Sequence, residues 1–306
     1  MDLLKTAKKY LNARWDKKSP LLLGYSGGGD SKALLYLLLE TGVAPLHLAH
    51  VDHGWREQSA DEALALADEA NRLKLPFHSV RLTNQPKRNI EDDGRRQRLA
   101  FFKGLFARIP FQALLLAHHA QDAAETALKR VLEGAHLTHL NGIALESTIE
   151  GMQIWRPLLH VDKKSLLAYL EQNNLSFLSD ASNEDPKFLR SRMRLQMIPE
   201  LSRQFGKEVG KNLALLGERA AELRQYLDER VRHAWREDEE GIWLNFENLV
   251  RLEIRHLLQK KARFSRKLLE SAVNAALEKR KNAAFEMGGR KLMIDGSCGF
   301  IANVIN

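Results

Sequence analysis

The stretch Ser26-Gly27-Gly28-Gly29-Asp30-Ser31 constrains this chain more than any other. An apolar run, Leu21-Leu22-Leu23-Gly24-Tyr25, leads into it, and Lys32-Ala33-Leu34-Leu35-Tyr36-Leu37-Leu38-Leu39 leads out. That order reads as a buried strand, a glycine turn and a helix. Three consecutive glycines let backbone N–H groups curl into one concavity at a helix N-terminus, which suits a polyphosphate. Asp30 and Ser31 are placed to cap the helix, and Asp30 also to hold a Mg2+ beside phosphates. The Gly-Lys-Ser/Thr ending of the common nucleotide P-loop is absent. A plain capped strand–helix turn gives the same local pattern, so the rest of the chain has to decide.

Strand-like runs at Leu21–Tyr25, Leu46–Val51, Phe77–Leu82 and Phe111–Ala117 alternate with helical patterns at Asp30–Glu40, Ser59–Leu73 and Ile90–Ile109. Such alternation predicts βαβ units with right-handed crossovers, and ligands binding beyond the carboxyl ends of the strands. From Val161 the pattern turns mostly helical. The expected fold class is α/β: a parallel five-stranded sheet with flanking helices, a helical connector, and a small α+β C-terminal domain. The corresponding boundaries are 1–205, 206–234 and 235–306. In the last part, helices are expected at Arg251–Phe264 and Ser265–Lys281. Strands follow at Ala284–Met287, Lys291–Ile294 and Phe300–Val304, separated by Gly-Gly and Asp-Gly turns.

Composition narrows the partners. The 306 residues are 44% hydrophobic and 28% charged, as in soluble globular proteins. No apolar run reaches membrane length, and the first twenty residues lack a signal-peptide core, so a cytoplasmic protein with no membrane partner is expected. A single cysteine, Cys298, excludes a disulfide framework and any cysteine-only metal cluster. The net charge of +8 favours an acidic partner. From Lys187 to Arg219 eight basic residues (Lys187, Arg190, Arg192, Arg194, Arg203, Lys207, Lys211 and Arg219) face three acids. Beside a nucleotide site, that strip reads as a track for nucleic-acid phosphates, although a solvated helix face has the same composition.

Four further segments carry candidate chemistry. After the second strand, His50-Val51-Asp52-His53-Gly54-Trp55-Arg56 places Asp52 and His53 where a ribose or adenine edge lies. After the fourth, His118-His119-Ala120-Gln121-Asp122-Ala123-Ala124-Glu125-Thr126 puts Asp122 and Glu125 on one face of a first helical turn. There they suit Mg2+, a substrate ammonium, or the helix dipole alone. No third ligand has the spacing to make His118 and His119 a zinc site. In Glu91-Asp92-Asp93-Gly94-Arg95-Arg96-Gln97-Arg98, Arg95 and Arg98 share a face and can neutralise a transferring phosphoryl group. Last come Arg156-Pro157-Leu158-Leu159, Ser179-Asp180-Ala181-Ser182-Asn183-Glu184-Asp185, and Arg190-Ser191-Arg192-Met193-Arg194.

The Ser-Gly-Gly-x-Asp-Ser wording resembles the pyrophosphatase loop of enzymes that split ATP between the α and β phosphates. Together with the other segments, in order through Pro199-Glu200-Leu201, it closely resembles the tRNA(Ile)-lysidine synthetase family over about two-thirds of the chain, in a short form. The family's Gly-His-His-x-Asp-Asp has Ala117 and Gln121 in place of the glycine and first aspartate here. Ser191 replaces the asparagine of Arg-Asn-Arg, and Leu99 a tyrosine. The resemblance implies an adenine nucleotide α-hydrolase-like domain. It implies ATP-dependent attachment of free lysine to C2 of the wobble cytidine in isoleucine tRNA with a CAU anticodon. The reaction passes through an adenylated cytidine and releases pyrophosphate and AMP. ATP is then a substrate and Mg2+ the metal, held by Asp30 and Asp122. Residues Ser26, Gly27, Gly28, Gly29, Asp30 and Ser31, with Asp52 and His53, bind the nucleotide. Asp30, Arg95, Arg98, Asp122 and Glu125 serve catalysis, with Glu125 receiving the lysine ammonium. Arg156, Arg190, Arg192, Arg194, Lys207 and Lys211 meet tRNA, as does the 235–306 domain. Oligomeric state stays open, a dimer being one option.

Three rival functions fit part of the sequence. A tRNA cytidine thiolase needs paired cysteines or an iron–sulfur cluster, against which Cys298 stands alone. A small-molecule amide or nucleotide synthetase has no use for the basic strip. A non-catalytic RNA-binding module has no use for intact Asp30, Asp122 and Glu125.

Overall fold

A computed structural model of the chain describes residues 2–52, 54, 59–82, 90–178, 187, 189–262 and 264–303, with 90–92 and 303 described by backbone only. They form two compact units: Met1–Gly134 with Asn141–Gly217, and Ala135–Leu140 with Glu218–Asn306.

The first unit begins with α1 (Leu3–Asn12) and proceeds through β1 (Leu21–Gly24), α2 (Gly29–Glu40), β2 (Leu46–Asp52), α3 (Ser59–Arg72), β3 (Phe77–Arg81), α4 (Ile90–Phe106), β4 (Ala113–Leu115) and α5 (Ala120–Leu132). Strands β5 (Glu146–Ile149) and β6 (Met152–Trp155) follow, then α6 (Lys163–Gln172). The sheet order is β3-β2-β1-β4-β6-β5. Five strands run parallel as expected, and β5 adds an antiparallel edge strand paired with β6. The turn between them, Glu150-Gly151, is left-handed at both residues (φ 50° and 83°).

Strand β1 lies inside the sheet because it is apolar on both faces. Leu21, Leu22 and Leu23 are all fully buried. The two-residue period sends Leu21 and Leu23, with Leu46, Leu48 and Leu115, into a core shared with Leu11 of α1 and Leu34 and Leu38 of α2. Leu22 joins Ala49, Leu114 and Ile154 on the other face, against Phe102 and Leu105 of α4. Each such leucine contributes roughly 1.5–3 kcal/mol of burial. This doubly covered sheet fixes the strand ends that carry the motifs.

Beyond α6, α7 (Leu189–Arg192) runs through a π-helical turn (Met193–Met197) into α8 (Ile198–Phe205), which Gly206 ends in the left-handed region at φ 62°. The basic strip therefore begins on a bulged helix and continues onto α9 (Val209–Arg230). In the second unit, β7 (Trp235–Glu237), β8 (Ile242–Asn245), α10 (Arg251–Ala262), α11 (Arg266–Leu277), β9 (Ala283–Met287), β10 (Arg290–Asp295) and β11 (Cys298–Asn303) follow. The antiparallel order is β7-β8-β11-β10-β9. Gly288 and Gly289, at φ 60° and 74°, form the two-residue hairpin loop the sequence predicts. No helix among the described residues is long and apolar enough to cross a membrane.

Candidate active site

The glycine loop leaves β1 and enters α2 as expected, but its wiring differs from the sequence reading. The N-cap of α2 is Gly28, and no side chain caps it. Ser31 Oγ donates instead to the Gly28 carbonyl at 2.9 Å and lies 3.1 Å from Ser26 Oγ, which receives the Gly28 N–H at 3.4 Å. Asp30 is drawn away from the cap by Lys163 and His119. The first amides of α2 thus have no side-chain acceptor and are open to an anion. Gly27 must be glycine twice over: its φ is +78°, and a Cβ there would meet Leu66 and Leu178 at 2.7 Å.

Three carboxylates gather beside the loop. His119 is the N-cap of α5, its Nδ1 accepting from the Gln121 N–H at 3.2 Å while Asp122 Oδ2 accepts the His119 N–H at 3.0 Å. The other imidazole nitrogen, Nε2, lies 3.5 Å from Asp30 Oδ2 and 3.5 Å from Asp122 Oδ2. The two aspartates expected to act together therefore converge on one atom. One turn along α5, Glu125 is 2% exposed and holds Arg194 with both oxygens, at 2.6 and 3.2 Å. Arg194 Nη2 also approaches Asp122 Oδ1 at 3.6 Å. Burial raises the Asp30 carboxyl, but the hydrogen bonds and charges of His119 and Lys163 outweigh it and hold it below the usual range. For Glu125 burial prevails over Arg194, and its pKa is raised.

Two hard oxygen donors beside a phosphate loop match Mg2+, which keeps water and phosphate among its ligands. Among the described residues no group of three or more His, Cys, Asp or Glu side chains forms a metal cage, so the chain itself offers this pair.

A second set is cationic. Arg156 is buried; its Nη1 donates to the Ala144 carbonyl (2.7 Å) and Ser147 Oγ (3.0 Å), while its Nε is buried without a partner. Burial and then the charge of Arg95 lower its pKa to about 10. Desolvation, then the like charges of Arg190 and Arg95, lower that of Arg98. His118 Nδ1 is sealed from solvent and also lacks a partner. Burial lowers the His118 pKa to about 4, with Arg156, Arg190 and Arg98 adding to the effect against the opposing charge of Asp122. Arg190 is near enough to Glu125 for its charge to act on that carboxyl, opposing the rise that burial causes. Three arginines, Arg98, Arg156 and Arg190, thus act on His118, and two buried nitrogens, Arg156 Nε and His118 Nδ1, are without a partner. Because His118 is held neutral in the fold, its share of stability is complete above pH 6.5 and is lost as pH falls toward 4. Thermal melts across that range are expected to fall less steeply for His118→Gln than for the wild-type protein.

The remaining sequence candidates divide. Asp52 is buried at the end of β2, where Oδ1 accepts from the Gly54 N–H at 2.7 Å and Arg81 lies at 3.5 Å. His53 and the Ser179–Asp185 segment lie outside the described residues. Of the basic strip, Arg194 sits among the carboxylates, Arg192 donates to the Lys187 carbonyl, Lys211 pairs with Glu208, and Arg190 and Lys207 are exposed. Lys163 was not anticipated. It heads α6 and reaches Asp30 across 133 positions of sequence. Gln121 places it: Gln121 Oε1 accepts the Lys163 N–H at 3.0 Å, and its Nε2 faces Asp162.

A family model described as a PP-loop domain matches residues 2–201. The tRNA(Ile)-lysidine synthase of Protochlamydia amoebophila is 36% identical over 98% of this chain and 69% of its own length. That of Chlamydia pneumoniae is 43% identical over 75% of this chain and 73% of its own. Among solved structures, the U34-tRNA thiolase NcsA of Methanococcus maripaludis, with its 4Fe-4S cluster, superposes with a TM-score of 0.58 at 16% identity, covering 72% of this chain and 78% of that one. This last likeness speaks for the fold alone. With the PP-loop matched over most of the chain and two relatives above 30% identity along most of their length, the chain is an enzyme that belongs to the tRNA(Ile)-lysidine synthase family.

Proposed function

We propose that this protein uses ATP to ligate free lysine to C2 of the wobble cytidine of isoleucine tRNA bearing a CAU anticodon. The observation that carries the reading is the single contact chain Lys163–Asp30–His119–Asp122–Arg194–Glu125 beside an uncapped, glycine-lined helix start. The cytidine O2 attacks the α-phosphorus of ATP and pyrophosphate leaves. The lysine ε-amine then attacks C2, the C2–O bond breaks, AMP departs with that oxygen, and the amine loses its proton.

Each step assigns work to named residues. The amides of the 26–31 loop cradle the departing phosphates, and Asp52 and His53 bind the adenosine. Asp30 and Asp122 would hold Mg2+, whose charge, when bound, stabilises the pyrophosphate leaving group. Arg95 and Arg98, with Arg156 and Arg190 nearby, offset the negative charge that gathers on the α-phosphate and the tRNA backbone. Glu125, paired with Arg194, receives the ammonium end of lysine. Arg192, Lys207 and Lys211 extend the phosphate contacts along the strip, and the 235–306 domain adds a further tRNA contact in a cytoplasmic enzyme.

The NcsA-like fold raises thiolation as a second reading, but Cys298, exposed in the second unit, is the chain's one cysteine and cannot hold a cluster alone. Pyrophosphate release from ATP, with lysine and tRNA omitted in turn, tests the proposal. Release that requires CAU tRNA supports it, and release indifferent to tRNA contradicts it. The strip makes its own prediction. Replacing Arg192, Lys207 and Lys211 by Ala should weaken tRNA binding and spare ATP binding. It should also flatten the slope of log K against log salt by roughly 0.7–0.9 for each phosphate no longer neutralised. Labelled-tRNA titrations at several salt concentrations check this; parallel slopes at equal affinity would remove the strip from the RNA surface.

A further inference from the structure

The glycine loop begins and ends on the same buried side chain. Tyr25, the residue before Ser26, is 1% exposed and donates its hydroxyl to Glu69 Oε2 at 2.6 Å. Lys32, the residue after Ser31, donates its ammonium to Glu69 Oε1. Tyr36, one turn further along α2, donates to the same oxygen at 3.2 Å. Glu69 itself is 6% exposed on α3. One turn earlier on that helix, Leu66 fills the space where a Gly27 Cβ would stand. The helix α3 therefore touches the loop at its flanks through Glu69 and at its first glycine through Leu66.

We propose that Glu69 is a positioning residue: one carboxylate that pins both ends of the Ser26–Ser31 loop and so sets the spacing of the amides that receive ATP. The inference rests on the ATP reading of the loop. It is not explained by stability alone, because a buried ion pair generally adds little over an apolar pair of the same shape. What the ion pair adds is geometry. A flexible six-residue loop with three glycines has many conformations, and fixing its two ends from one point removes most of them before the nucleotide arrives. Burial raises the Glu69 carboxyl, but the hydrogen bonds from Lys32 and Tyr25 overcome it, so the clamp stays charged at neutral pH.

The test measures direct Mg-ATP binding by calorimetry, with apparent ATP and lysine constants alongside. Glu69→Gln is expected to bind ATP roughly tenfold more weakly, while the lysine constant and turnover at saturating ATP change far less. Tyr25→Phe, which loses one post without touching charge, should weaken ATP binding in the same sense, and Tyr36→Phe should not. If Glu69→Gln fails to fold because Lys32 is left buried and unpaired, the double variant Glu69→Gln with Lys32→Met restores charge balance. It should regain thermal stability yet keep the ATP defect. Unchanged ATP binding in folded Glu69→Gln overturns the proposal. So does full recovery of ATP binding in the double variant, or a defect confined to variants that change Lys32, which would make that lysine a direct phosphate contact. Failure of the wild-type protein to bind ATP would instead overturn the ATP reading itself.

Discussion

Asp30→Ala is expected to abolish pyrophosphate release from ATP in a protein that still folds. The carboxylate does not cap α2, so its loss removes no cap from that helix. Its ion pair with Lys163 is about one-third exposed on both sides, and such pairs contribute roughly 1 kcal/mol or less. The functional loss is larger because, on the proposed reading, Asp30 is one of the two Mg2+ donors beside the phosphates, and Asp122 alone would be left to hold the metal. Circular dichroism and thermal melting establish that the variant is folded, and a coupled pyrophosphate assay reads the chemistry. A folded variant releasing pyrophosphate at near the wild-type rate would move the adenylation site elsewhere.

The second large effect concerns lysine. Glu125→Gln is expected to raise the apparent lysine constant roughly tenfold to a hundredfold, as removing a charge-assisted hydrogen bond costs about 1.5–3 kcal/mol. The ATP constant should change little. The reason is local: Glu125 is buried at the end of the contact chain farthest from the loop, with Arg194 and Asp122 between it and Asp30. A neutral amide there accepts one bond from Arg194 but cannot balance an incoming ammonium. Separate titrations of lysine and ATP decide the matter. Equal rises in both constants would reduce Glu125 to an anchor for Arg194.

These residues show what was legible beforehand. The apolar runs at Leu21, Leu46 and Phe111 announced the parallel core because strands buried on both faces must be apolar throughout. Strand β5 escaped because Glu-Ser-Thr-Ile at an edge needs only one apolar side, and β7 and β8 because three- and four-residue strands around an acidic turn carry too little pattern. The carboxylates Asp30, Asp122 and Glu125 were found by their spacing on helix starts. Their partners were not. Lys163 and Arg194 reach them over 133 and 69 positions of sequence, respectively, and no local rule connects such pairs. The cap assigned to Asp30 failed for the same reason: a distant lysine and histidine compete for the carboxylate, and the local rule does not count them. Arg156 reads as a tRNA contact from sequence; in the fold it is buried and donates to the Ala144 carbonyl and Ser147.

Isoleucine tRNA with a CAU anticodon, transcribed without modification, is incubated with the protein, Mg-ATP and lysine, digested to nucleosides and analysed by mass spectrometry. The account predicts a cytidine derivative heavier by one lysyl residue, formed only when ATP and lysine are both present and absent with Asp30→Ala. Unmodified cytidine under these conditions, or a cytidine in which sulfur has replaced the C2 oxygen when a sulfur donor is added, would contradict it.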